Sequence, residues 1–186
     1  MVKRIFTQEE FAKVAPAFER GGVQFYFLRV DPQPFEDGKV IAIENVFDHE
    51  PTQEDEKSLY ASWLAIEKRV KVDAITKYDV SENVNVFELN GMRAWLDKAT
   101  RVGLVNSLTI EKESGRTEST LFLNGIALVL PIDDALAMLE TLELYAIDCY
   151  RQTEAHKLAV NALAFIEDVQ NYDISAGYPA HPVFNA

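Results

Sequence analysis

The chain has 186 residues, enough for one compact domain or two small ones. It carries 30 Asp and Glu against 18 Lys and Arg, a net charge of −12. That balance argues against nucleic acid as a partner, because neutralising phosphates needs clustered basic side chains. The single cysteine, Cys149, excludes an internal disulfide framework and a Cys-rich zinc site.

Hydrophobic residues make up 48% of the chain, so apolar surface suffices for a core. The longest apolar run, Ile126 to Ile132, is interrupted by Pro131 and is too short to span a bilayer. Lys3 and Arg4 precede only Ile5 and Phe6 before the polar Thr7-Gln8-Glu9-Glu10, so no secretory signal is expected. No membrane partner is expected, and the chain reads as folding in a reducing cytoplasm.

Thr7 followed by Glu10 fits a capping box. Phe11, Val14 and Phe18 then recur at helical spacing, with Gly21-Gly22 as a stop and Pro16 as a kink or split. Val23–Val30 and Val40–Phe47 read as strands of an antiparallel hairpin, joined by a turn-rich loop over residues 31–39 that includes Phe35. In the second strand, Ile41, Ile43, Asn45 and Phe47 form the expected core face. Thr52 and Asp55 cap a long charged helix with a stripe of Leu59, Trp63, Ile66, Val70 and Ala74.

Val84–Leu89 reads as a strand, and Asn90-Gly91 turns it back through Met92–Leu96. Asp97 caps a helix running toward Gly115, in which Gly103 marks either close packing against another backbone or nothing at all. Thr117–Leu123 and Ile126–Leu130, joined by Asn124-Gly125, give the chain's strongest hairpin signal. Asp133 or Asp134 starts a helix carrying Leu136, Leu139 and Cys149. Arg151-Gln152-Thr153 is expected to break it, and Thr153 to cap a last helix, making an antiparallel pair. From Asn171 the prolines and Gly177 forbid regular structure. Tyr172, Ile174, Tyr178, Pro179, Val183 and Phe184 nevertheless keep residues 172–186 apolar. This segment reads as an extended arm, lying on its own domain or on a neighbouring subunit.

No catalytic, cofactor or metal site is expected. His49, His156 and His181 lack ligand partners at metal-binding spacing. Cys149 and His156 read as a core thiol and a first-turn histidine on either side of the expected helix break. The pairs Glu140/Glu143 and Glu54/Asp55 read as solvated helix faces and caps. The Asn-Gly pairs are turns, and no glycine-rich loop opens a helix after a strand. Asp37 and Gly38 fall short of a calcium loop. Trp63, Trp95 and the seven tyrosines show no spacing that marks a sugar platform.

The succession from Tyr78 onward is distinctive. Tyr78-Asp79-x-Ser81-x-x-Val84-Asn85-x-Phe87-x-Leu89-Asn90-Gly91 is followed by Trp95-Leu96-Asp97-Lys98-Ala99-Thr100-Arg101. Leu121-x-Leu123-Asn124-Gly125 and Ala137-Met138-Leu139-Glu140-x-Leu142-Glu143-x-Tyr145-Ala146 come next. Tyr172-Asp173 and Gly177-Tyr178-Pro179 close it. Over about residues 78–184 this resembles an uncharacterised domain family of bacteriophage virion and tail-fibre-associated proteins, from phages and prophages of gut bacteria. The resemblance brings no catalytic residue set.

The expected organisation is a helix, hairpin and long helix over 1–77, a phage-type module over 78–171, and the arm over 172–186. The fold class is α+β, with short antiparallel hairpins packed with helices. The resemblance implies a non-enzymatic structural protein of the head–tail or tail/fibre apparatus, located in the virion. Its partners are other virion proteins or further copies of itself, and its expected interface residues are Phe35 and the six arm residues. A tail-fibre assembly chaperone absent from the mature particle is one alternative. A small glycan hydrolase is another.

Overall fold

The computed structural model describes residues 1–185. It is 48% helix and 26% strand, and nearly all of its strand pairing is antiparallel, so the fold is α+β. The chain divides into two compact units. The first comprises Met1–Val70 and Leu163–Asn171, and the second Lys71–Ala162 with the residues from Tyr172 onward.

The first unit is built on a four-stranded antiparallel sheet. Its strands are β1 (Val2–Phe6), β2 (Ala17–Arg20), β3 (Val23–Pro34) and β4 (Val40–Phe47), in the order β1-β4-β3-β2. One face carries Leu28, Val30 and Ile43. It packs on Leu59, Tyr60, Trp63 and Leu64 of α2 (Gln53–Asp79) and on Ile166 of α5 (Ile166–Asn171). The Ile166 amide donates to the Tyr60 hydroxyl at 3.1 Å, which satisfies one of the free N–H groups at the start of α5.

Several sequence expectations change here. The helix expected through Phe18 stops early: α1 is only Gln8–Ala12, and residues 17–20 are strand. The capping box of Thr7 and Glu10 is present, but Pro16 cannot continue the helix. Phe18 instead stacks on Phe25 across the β2–β3 pair, with ring centroids 5.3 Å apart. Gly21-Gly22, at φ +62° and +78°, is the two-residue turn of that hairpin rather than a helix stop. β3 runs on through Pro34, past a bulge between Val30 and Gln33 in which Asp31 takes φ +56°. β1 carried no recognised signal, since Lys3 and Arg4 dilute its apolar pattern.

The cap of α2 is as expected: Thr52 Oγ1 accepts from the Asp55 amide, and Asp55 accepts from Thr52 N. Its apolar stripe is shifted. Val70 is 58% exposed, whereas Ile75 is fully buried.

The second unit holds two small sheets and two long helices. β5 (Phe87–Leu89) and β6 (Met92–Ala94) pair across Asn90-Gly91, and β9 (Val183–Phe184) adds in parallel to β5. β7 (Glu118–Leu123) and β8 (Ile126–Pro131) pair across Asn124-Gly125. Both turns have the positive φ at each residue that type I′ geometry requires. α3 (Lys98–Glu113) starts at Asp97, whose carboxylate accepts from Thr100 N at 2.8 Å. A core of Phe87, Leu89, Leu96, Leu108, Leu121, Leu123, Ile132, Leu139 and Leu142 joins these elements.

α4 (Ile132–Ala162) is continuous, so the break expected at 151–153 is absent. The two C-terminal helices part at 163–165 instead. Thr153 and His156 are buried on α4 rather than capping a new helix, because tertiary partners for both override their weak helix propensity. Gly103 faces open space, so no close backbone packing accounts for it.

Candidate functional site

α3 and α4 lie antiparallel. Arg101 near the start of α3 meets Glu143 of α4, and Lys112 near its end meets Asp133. The helices leave a groove of about 470 Å³ between them. Leu136 and Leu139 lie on its α4 side and Val102 and Val105 on its α3 side, with Asn106, Glu140 and the Arg101–Glu143 pair completing the lining. Beyond that pair a second depression continues past Lys98, Ala146, Ile147 and Tyr150.

Arg101 is fixed from three sides. Its Nη1 donates to the Leu96 carbonyl at 2.6 Å. Nε and Nη2 donate to Glu143 Oε2 at 2.9 and 2.8 Å. The guanidinium also lies 5.3 Å from the Trp95 ring. Held this way, the guanidinium is fixed in one orientation. It stiffens the junction of α3 and α4 and leaves an apolar trough beside it. Val102 and Val105 remain substantially exposed along the trough.

A second cluster lies in the first unit and was not legible in the sequence. Glu44 of β4 is 3% exposed and accepts from Arg4 at 3.1 Å and from Arg29 at 3.0 Å. The Arg29 guanidinium sits 4.6 Å from the Phe6 ring and 5.6 Å from Phe27. Its Nε and Nη1 are buried without a hydrogen-bond partner. Alternation in β4 put Glu44 on the face opposite Ile43, which reads as solvent. The cross-strand register with Arg29 and Arg4 closes that face over it.

The arm lies against its own unit. His156 Nδ1 is 2.8 Å from the Tyr172 hydroxyl, and Nε2 is 2.8 Å from the Ala176 carbonyl. Tyr178 packs on His156 and on Tyr78, and Phe184 on Phe87. Gly177 takes φ +77° where a Cβ would sit 2.6 Å from Gln152. Ile174 and Pro179 are half-buried, while Val183 and Phe35 are exposed. Phe35 lies in the first unit, and the other six candidates lie in the second.

Cys149 is buried beside Val84 and Tyr145. Burial pushes its thiol up, with a hydrogen bond to Tyr145 opposing the shift. The two ring nitrogens of His156 meet Tyr172, Gln152 and Ala176 rather than this thiol. His181 bonds the Asn83 carbonyl, and His49 bonds Asp48 and Asp55. Among the described residues no group of three His, Cys, Asp or Glu is placed to hold a metal ion.

Comparison with protein-family models, with curated proteins and with solved structures returned no match.

Proposed function

We propose that the chain is a non-enzymatic bacteriophage structural protein, a virion component of the head–tail or tail/fibre apparatus that acts by protein–protein assembly. The observation that carries the assembly part is the trough between α3 and α4. It combines exposed valines with a guanidinium already immobilised by Glu143, Leu96 and Trp95. Apolar troughs on rigid helices suit the side chains of another protein. The phage part rests on the resemblance over residues 78–184.

The net charge of −12 fits this use. It keeps copies apart in the host cytoplasm until an uncharged surface meets its partner, and it repels packaged DNA.

Mass spectrometry of purified particles from cells that encode the chain tests the proposal. Stoichiometric presence in the particle is expected. Presence in the lysate with absence from the particle would favour a chaperone instead. Turnover of a cell-wall or capsule glycan by the purified chain would overturn the non-enzymatic reading.

A further inference from the structure

The β7–β8 hairpin is a two-stranded sheet, and among the described residues no third strand pairs with either of its edges. Two strands alone are marginally stable in water. One face of the hairpin is buried in the core through Leu121, Leu123 and Leu130. The other face presents Thr120, Phe122, Ala127 and Val129. Phe122 is 73% exposed and Val129 64%.

The ladder fixes which main-chain groups are free. Leu123 and Ile126 flank a two-residue turn, and in such a hairpin the flanking pair exchanges both main-chain bonds. Bonding pairs then alternate, so Leu128 and Leu130 turn their amides toward β7. Ala127, Val129 and Pro131 turn theirs away from it. Pro131 has no N–H, and it stands at an outward position where none is needed. β8 is therefore built as an edge strand with two outward donors, at Ala127 and Val129.

Natural edges are usually guarded by charge. This one is not: residues 119–132 contain no Asp, Glu, Lys or Arg. On a chain of net charge −12 that is a local exception. A second copy approaching most charged faces would meet repulsion, whereas between Ser119 and Ile132 the hairpin itself sets no like charge against it.

We infer that β8 pairs antiparallel with β8 of a second copy, about a two-fold axis at Leu128. This identifies a partner within the assembly reading above and rests on that reading. In this register Ala127 of each copy faces Val129 of the other. Each such pair exchanges two main-chain hydrogen bonds, four in all. Pro131 ends the pairing on both sides and prevents a longer slip. The exposed face becomes a continuous four-strand row in which Phe122, Ala127, the partner's Val129 and the partner's Thr120 stand in line. An antiparallel pair of identical strands is isologous, so the assembly closes as a dimer.

Sedimentation equilibrium of the full chain, over micromolar to hundreds of micromolar concentrations, tests this. The wild type is expected to reach twice the chain mass of 21.0 kDa. Val129→Glu and Val129→Lys change an exposed side chain and keep every bond of the hairpin. Each is expected to stay monomeric at concentrations where the wild type is dimeric. Mixing the two is expected to restore a dimer, because positions 129 of the two copies lie diagonally within reach of an ion pair. Circular dichroism of each variant checks that it remains folded. A wild type that stays monomeric, a stoichiometry other than two, or a dimer that survives both substitutions overturns the inference. A monomer still incorporated into particles would leave the assembly reading standing. A dimer absent from particles would instead remove the virion role and keep the pairing.

Discussion

Thr153 Oγ1 donates to Asp79 Oδ1 at 2.7 Å, joining α4 to the end of α2 across 74 positions. A hydroxyl has one proton, so the Tyr178 hydroxyl, 2.8 Å away, donates to Thr153 in turn. One threonine thus links α2, α4 and the arm. Thr153→Val keeps the shape and removes both bonds. It leaves two polar groups without their partner, which costs about 1–3 kcal/mol. Urea denaturation should show that loss. Amide exchange should quicken over residues 172–184 more than in α3. Uniform exchange along the chain would count against the link.

Ile75 and Val70 lie five positions apart on α2, yet one is fully buried and the other 58% exposed. Ile75→Ala should cost about 2–5 kcal/mol through lost burial and the cavity left behind. Val70→Ala should fall within about 0.5 kcal/mol of wild type. Equal effects in thermal melts would refute the assigned helix face.

This pair also shows where sequence reading ended. Both residues are apolar, and a period near 3.6 accommodates either over a long helix. Only the partners across the core choose between them. Local signals served well where the chemistry itself was local. The caps at Thr7, Thr52 and Asp97 and the turns at Asn90-Gly91 and Asn124-Gly125 depend on neighbours within four residues. Gly21-Gly22 carried the same kind of signal, but helical spacing of Phe11, Val14 and Phe18 masked it. Thr153 looked like a cap because its partners, Asp79 and Tyr178, are distant in sequence. The trough at Arg101 was not legible. The Asp97-x-x-x-Arg101 spacing marked the helix start, but only the fold brings Glu143 to it.

Glu44 is buried between Arg4 and Arg29. Glu44→Gln would leave Arg29, already short of partners at Nε and Nη1, without its carboxylate. Breaking a buried pair from one side costs about 3–5 kcal/mol. Arg29→Met combined with Glu44→Gln should recover much of that loss, since no buried charge then stands alone. Guanidinium titrations of the single and double variants measure the coupling. Additive losses would show that the two side chains act independently.

Cys149 is buried, and burial raises its thiol above the ordinary cysteine range. The thiolate is the reactive form, so the native chain should react with a thiol reagent only as fast as it opens. Urea should bring the rate to that of a free thiol. Rapid labelling of the native chain at neutral pH would contradict the burial.

His49 tests the electrostatics at the start of α2. Hydrogen bonds to Asp48, and then to Asp55, raise its ring above the usual histidine value of about 6.5. The folded state therefore holds the proton more tightly than the unfolded state does. Its contribution to stability is full below about pH 6.5 and fades as pH rises through the folded value. Replacing His49 with Gln should lower the melting temperature most in mildly acidic solution. The difference from wild type should shrink toward pH 9. Asp48 is held low chiefly by its bond to His49, and Asp55 by its bonds to Thr52, so both stay ionised across this range. A ring that titrates at or below the ordinary histidine value in an NMR experiment would remove the basis for this dependence.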